Sequence, residues 1–225
     1  KTDDSEEEVK SENEGLLTDE FISKYKKIQP PMNPLGMFVY YRTYSRWLPE
    51  YGRREYWWET CKRAVEYNCS LAPTSREEAE RLFDNMFNLR QFLSGRTLWV
   101  ASTPVVEDFA MANFNCSATV IDEFKNFSEL FHALLVGSGV GFRILKSDVA
   151  KLPKVRTNIE VIHKEYSPIP KSLREEHSSL IFSGDMVKIV VGDSKTGWTK
   201  ALELYFSILS EKIYSDVNTI IFDYD

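Results

Sequence analysis

Cysteine is scarce in this sequence. Cys61, Cys69 and Cys116 are the full set, an odd count with no CxxC spacing. That excludes a disulfide framework and a cysteine-built zinc site, and it fits a reducing compartment, so the expected location is cytoplasmic. His132, His163 and His177 show no metal-ligand spacing, and no metal site is expected. No apolar run reaches the ~20 residues that span a bilayer. No signal-peptide pattern opens the chain, and a membrane partner is not expected. GxSxG, P-loop and HExxH motifs are missing, as are internal repeats. The common hydrolase, nucleoside-triphosphatase and zinc-protease signatures are therefore excluded.

What is present is an ordinary globular composition. The 225 residues are 43% hydrophobic, enough for one large domain or two small ones. The net charge of -6 is unevenly placed: residues 1 to 20 hold nine acidic and two basic side chains. This start reads as an acidic disordered tail over 1–17. The nearly neutral remainder gives no global case for a nucleic-acid partner.

Hydrophobic spacing then predicts helices over Asp19–Ile28, Phe38–Leu48 and Glu55–Tyr67, the first stopped by Pro30, Pro31 and Pro34. Ser75 and Glu78 form a capping box ahead of the stripe Ala79, Leu82, Phe83, Met86 and Phe87, a helix expected to reach about Leu93. Past Gly95 the pattern shortens. Strands are expected at 97–101, 116–121, 140–145, 159–163, 186–191 and 219–223. Helices are expected over Asn126–Val136 and Trp198–Ile213, the latter capped by Asp193 or Ser194. The charged segment Lys164–Ser183 reads as a loop or an excursion. The organisation is thus tail, helical region over 18–94 and α/β region over 95–225. A last strand at the chain terminus should leave an open sheet edge, so association of the chain is expected.

Four features could carry chemistry. Cys116 enters an apolar strand beside Asn115, either as a small buried apolar residue or as a reachable thiol. Gly137-Ser138-Gly139-Val140-Gly141 lies between a helix end and a strand, the wrong order for a dinucleotide fingerprint. It is either a helix C-cap and turn or a place where backbone approaches a ligand closely. Thr103 with its turn could hold a phosphate oxygen. Asp193, Ser194 and Trp198 open a helix, and helix N-termini attract phosphate. A fifth stretch, Tyr40 to Arg63, interleaves eight aromatics with Arg42, Arg46, Arg53, Arg54, Lys62 and Arg63. It could stack bases, but its helical spacing and Glu50, Glu55 and Glu59 favour an amphipathic helix pair with an aromatic core.

Several pieces occur in a fixed order: Tyr41–Glu50 (YRTYSRWLPE), Ser94–Trp99 (SGRTLW), Asn115-Cys116, Gly137–Phe142 (GSGVGF) and Asp193–Trp198 (DSKTGW). Together they resemble the N-terminal part of ribonucleotide reductases, most closely the adenosylcobalamin-dependent (class II) ribonucleoside-triphosphate reductases. Thr196 stands where that family pattern has Glu. The resemblance implies an α/β fold: an N-terminal helical region followed by the first part of a ten-stranded α/β barrel. It implies conversion of ribonucleoside triphosphates to 2′-deoxyribonucleotides by a thiyl-radical mechanism, for DNA synthesis. Cys116 would be one reducing cysteine of a redox-active disulfide, its partner outside this chain. Thr103, Asn115, Gly137, Ser138, Gly139 and Gly141 would lie around the substrate. Asp193, Ser194 and Trp198 would lie near a dNTP effector. Adenosylcobalamin is the implied cofactor, held mostly by residues outside this chain. A thioredoxin-like reductant and the remainder of the reductase chain are the implied partners. No second matching cysteine and no Asn-Pro-Cys-Gly-Glu type motif occur, so the chain is expected to be an N-terminal portion, a fragment or split-gene product, inactive alone. The competing readings are a non-catalytic nucleotide-binding or interaction fragment, and a nucleic-acid-binding module built on residues 38–63.

Overall fold

Helix caps set most boundaries in this chain. The computed structural model describes residues 15–224, so the expected acidic tail lies outside the described residues as far as residue 14. At its far end Leu17 is 1% exposed and belongs to a core, which shortens the tail expected over 1–17. The chain divides between Asn113 and Phe114 into two compact units, so helical structure continues well past Gly95.

The first unit contains helices α1 (Asp19–Ser23), α2 (Pro34–Val39), α3 (Trp57–Ser70), α4 (Arg76–Phe87), α5 (Gly95–Val100) and α6 (Pro104–Asp108). Two-residue strands β1 (Trp47–Leu48) and β2 (Arg53–Arg54) form a small antiparallel pair. The Ser75 capping box is present: Ser75 Oγ accepts from the Glu78 N–H at 3.2 Å, and Glu78 Oε2 accepts from the Ser75 N–H at 3.0 Å. α3 buries Trp57, Cys61, Ala64, Val65 and Cys69, and α4 buries Ala79, Phe83, Met86 and Phe87, each at helical spacing. The Trp57 indole donates to the Phe87 carbonyl at 3.0 Å, satisfying a carbonyl at the end of α4. α4 stops there, short of Leu93. Arg90 N–H bonds to Asn85 O and Leu89 N–H to Met86 O, a Schellman arrangement with Leu89 (φ 58°) in the left-handed position that glycine usually fills.

The second unit begins with β3 (Cys116–Val120), α7 (Lys125–Leu135), β4 (Gly139–Arg143) and α8 (Lys146–Val149). β3 and β4 pair in parallel, joined through α7 as a β-α-β unit. There follow β5 (Glu160–His163), β6 (Ser179–Ser183), β7 (Met186–Val190), α9 (Lys195–Ser210) and β8 (Thr219–Asp223). These strands form a sheet in the order β5-β8-β7-β6, parallel except for the β6–β7 hairpin. Val187, Ile189 and Ile220 point to one buried face with Ala201 and Ile208 of α9, the alternation that fixes strand register. Phe124 and Phe127 stack on Phe206 at 4.7 and 5.2 Å, seating α7 on α9. Arg156 donates to the carbonyls of Ile208, Tyr214, Ser215 and Val217 at 2.8–3.0 Å, gathering the end of α9 and the turn behind it.

Several expectations need correction. Residues 97–100 are helix, not strand, and Ala101 is the residue that ends it. Ser94 caps α5, its Oγ accepting from Thr97 N–H at 3.1 Å, and that cap outweighs the β-branched composition. Helix over Phe38–Leu48 ends early: α2 runs into a π-turn at Tyr40–Tyr44 and breaks at Ser45, whose hydroxyl donates to Glu55 O at 2.7 Å. The 164–183 segment carries β6, made a strand by the two-residue turn Gly184-Asp185 with Gly184 at φ 62°. The last strand, β8, is no edge: it lies between β5 and β7, so the reason for expecting association is removed.

One buried carboxylate organises the first unit. Glu55 is 4% exposed. It accepts from Arg63 Nε at 2.7 Å and Nη2 at 2.9 Å, from Thr60 Oγ1 at 2.8 Å and from Arg46 N–H at 3.3 Å. Burial alone would raise its carboxyl, but Arg63, Thr60 and the Arg46 N–H together hold it below the ordinary 4.5. A depressed carboxylate contributes stability that is present above the ordinary value and lost as pH falls through the depressed one. Glu55→Gln should therefore lower unfolding free energy at pH 7 by about 3 kcal/mol, and should flatten the loss of stability below about pH 4.5. Denaturant titrations at pH 7 and pH 4 check both; equal acid sensitivity in the two proteins would contradict the role given to Glu55.

Candidate active site

Parallel pairing of β3 and β4 brings most of the sequence-derived candidates together. Cys116 is in register with Gly139, and Ala118 with Gly141. The Gly139 N–H donates to the Asn115 carbonyl at 2.7 Å, so Asn115, Cys116 and the glycine loop form one backbone ladder. Gly137 (φ 88°) ends α7 in a Schellman motif, with Gly137 N–H to Leu134 O at 3.0 Å and Ser138 N–H to Ala133 O at 2.9 Å. Its glycine is thus demanded by the helix end. Gly139 and Gly141 have ordinary φ, and a Cβ there would meet only Asn115 O at 3.4 Å and Ser117 O at 3.9 Å. Their smallness leaves the ladder bare on the Cys116 side without any local backbone need.

Two hydroxyls beside this ladder lack partners. Ser138 is 2% exposed, and the Oγ atoms of Ser138 and Ser117 are buried with no hydrogen bond among the described residues. Cys116 itself is an exposed free thiol, whereas Cys61 and Cys69 are buried. Burial pushes the Cys61 thiol well up, and the Cys69 thiol up, which makes both poor nucleophiles. Cys116 and Gly139 open their strands. They lie at the amino ends, opposite to the carboxyl ends where open α/β sheets usually bind ligands.

Asp193 and Trp198 meet in a second place, a cleft of about 280 Å³ that also takes in Tyr166, Arg174 and Tyr224. Asp193 pairs with Arg174 at 2.9 Å, and the Trp198 ring stacks on Tyr224 at 5.7 Å between centroids. Ser194 is the N-cap of α9: its Oγ accepts from Gly197 N–H at 2.8 Å and donates to Glu176 O at 2.7 Å. A Cβ on Gly197 would fall 2.5 Å from the Gly192 carbonyl oxygen, so the glycine of this motif is a packing requirement as well. Sequence reasoning missed Arg174, Tyr166 and Tyr224, which come from a charged segment and from beyond the last strand and carry no local signal.

Thr103 belongs to the first unit and does not end a strand. It is the N-cap position of α6, half-buried, and its Oγ1 donates to Val100 O at 2.6 Å. In the Tyr40–Arg63 stretch the guanidinium groups of Arg46, Arg53, Arg54 and Arg63 are engaged within the protein. Arg46 donates to backbone carbonyls, Arg63 bonds Glu55 and backbone carbonyls, Arg53 pairs with Glu59 at 2.6 Å, and Arg54 donates to Ser45 O at 2.6 Å. That disposition supports the helix-pair reading of this stretch over a base-stacking surface.

Comparison with known proteins decides the family. Residues 17–103 match the model of the ribonucleotide reductase alpha domain. The adenosylcobalamin-dependent ribonucleoside-triphosphate reductases of Lactobacillus delbrueckii subsp. bulgaricus and Lacticaseibacillus paracasei are 31% and 32% identical to this chain, over 87% and 82% of it. A crystal structure of a B12-dependent (class II) ribonucleotide reductase superposes with a TM-score of 0.74 at 29% identity, covering 92% of this chain and 35% of that one. This chain belongs to the ribonucleotide reductases. Its mixed helix-and-sheet fold is a fragment of the reductase type, and it spans about a third of the length of the curated reductases it matches (32% and 30%). Among the described residues no helix is long and apolar enough to cross a membrane.

The thiol geometry is directly testable. In native buffer a maleimide should modify Cys116 readily, while Cys61 and Cys69 react only after denaturant is added; mass mapping of the labelled peptides reads this. Labelling of Cys61 as fast as Cys116 would contradict the burial described here.

Proposed function

We propose that this chain forms the part of an adenosylcobalamin-dependent ribonucleoside-triphosphate reductase that presents one reducing thiol to the ribose. The observation that carries the reading is the exposed Cys116 thiol, set by register against Gly139 while the other two cysteines are buried. In the reaction the ribose C2′–O bond breaks, hydrogen takes the place of the hydroxyl, and water leaves. Two thiols supply two electrons and two protons and close an S–S bond. Cys116 is one of them, the other lying outside this chain. A thioredoxin-like dithiol then reopens the disulfide by exchange. A thiyl radical elsewhere in the enzyme starts the sequence.

Gly139 and Gly141 leave room for the sugar against the β3–β4 ladder. Asn115, Gly137 and Ser138 are the further residues assigned to the substrate here, and Thr103, in the first unit, is assigned to its phosphates. Asp193, Arg174, Trp198 and Tyr224 suit a deoxynucleotide effector, a base against the aromatic pair and phosphate toward the guanidinium. Ser194 acts there by capping α9. Adenosylcobalamin, the cofactor in the relatives' names, supplies the radical when bound. Its binding residues are assigned mostly outside this chain, and no step above runs through it.

In the complete enzyme, Cys116→Ser should abolish multiple-turnover dNTP formation with a dithiol reductant while nucleotide still binds. Cys61→Ser and Cys69→Ser should keep most activity, at a modest cost in stability. Normal turnover by Cys116→Ser would sink the reading.

A further inference from the structure

We propose that Arg46, steadied by Glu55 and Arg63, is a positioning residue that sets the Ser102–Thr103 turn for the substrate phosphates. The inference rests on placing Thr103 at the phosphate side and adds the groups that hold it there. α5 is only six residues long, so its terminal carbonyls have few partners within the helix. The chain then turns sharply through Ser102, which has φ 51°. A non-glycine residue in that left-handed region persists only where its surroundings over-determine it.

The surroundings are two guanidinium groups from far away in sequence. Arg46 Nη2 donates to Trp99 O and Ala101 O, both at 2.7 Å, and its Nη1 reaches Ser102 O at 3.4 Å. Arg63 donates to Leu98 O and Ala101 O, each at 3.0 Å. Carbonyls on both sides of the strained backbone are thereby pinned. Glu55 neutralises the pair, binding Arg63 through two oxygens and accepting from the Arg46 N–H. On the far side, Thr103 O accepts from the Val106 and Glu107 N–H groups at 3.0 and 3.2 Å, and Pro104 stiffens the start of α6. Thr103 is therefore fixed from α5 and from α6 at once. Its hydroxyl donates to Val100 O, which holds the half-buried side chain in one orientation; a phosphate oxygen, which only accepts, would take that proton in exchange for the Val100 bond. A lysine keeps the charge of Arg46 but offers a single ammonium instead of a planar fork, and cannot hold the same set of carbonyls.

The test uses the complete reductase. Thr103→Val, Arg46→Lys, the double variant Ser102→Gly with Arg46→Lys, and the control Arg90→Ala are compared. Arg90 is an exposed partner of Asp84 remote from this network. KM for the ribonucleoside triphosphate, kcat and the thermal midpoint are measured. Thr103→Val and Arg46→Lys should each raise KM about tenfold with kcat changed less, as loss of substrate positioning does. Ser102→Gly should recover part of that loss in the Arg46→Lys background, because glycine adopts the turn without restraint; Arg90→Ala should behave as wild type. If Thr103→Val raises KM but Arg46→Lys only lowers the thermal midpoint, or Ser102→Gly gives no recovery, Arg46 is structural and the proposal fails while Thr103 keeps its place. If Thr103→Val leaves KM unchanged, the placement of Thr103 fails, and the positioning role with it.

Discussion

A helix that ends inside a protein leaves carbonyl oxygens in need of donors, and in this chain arginines supply them. Arg46 and Arg63 take the end of α5, and Arg156 takes the end of α9 and the turn after it. Each guanidinium carries several N–H donors in a rigid plane, so one side chain can satisfy carbonyls that point in different directions. Leaving such carbonyls buried and unpaired costs more than the hydrogen bond gains, because the desolvation is not recovered. The arginines carry a cost of their own, since buried positive charge needs a counter-charge. In the first unit Glu55 provides it, and two guanidinium groups converge near one carboxylate. Burial beside Arg63 pushes the Arg46 guanidinium down to about 10, still charged at neutral pH. The short α5 thus owes its form to residues 35 to 55 positions away.

In the second unit the governing constraint is register. A parallel pair shifted by one residue would turn Cys116 and its neighbours to the other face. The Gly139 N–H to Asn115 O bond and the Schellman end of α7 fix where β4 starts. Cys116 is thereby held opposite a residue with no side chain. The role proposed for Cys116, meeting a sugar and then another sulfur, calls for this combination of a rigid backbone and open space. The buried, unpartnered hydroxyls of Ser117 and Ser138 alternate with Cys116 and Gly139 and so belong to the opposite, buried face of the ladder.

How much of this was legible depended on whether the deciding contact was local. The Ser75–Glu78 box, the stripe on α4, the β3 and β4 strands and the Ser194 cap are written in neighbouring residues, and all were read. Residues 97–101 were misread because Thr97, Leu98, Trp99 and Val100 look like strand, while Ser94 and two distant arginines make them helix. β6 was missed because its charged, proline-containing surroundings hid the Gly184-Asp185 turn. The central place of β8 could not be read at all, since strand order is set by packing rather than by chain order. At the candidate site, Cys116 and the glycine loop came from the family resemblance, whereas Arg174 and Tyr224 are joined to Asp193 and Trp198 only by the fold.

The central claim is that Cys116, and neither of the other two cysteines, gives its electrons to the ribose. The most direct measurement is mass mapping of every cysteine in the complete enzyme after a single turnover with no external reductant. The expected result is Cys116 in a disulfide with a cysteine outside residues 1–225, with Cys61 and Cys69 still thiols. A full equivalent of deoxynucleotide formed while Cys116 remains a free thiol would contradict it.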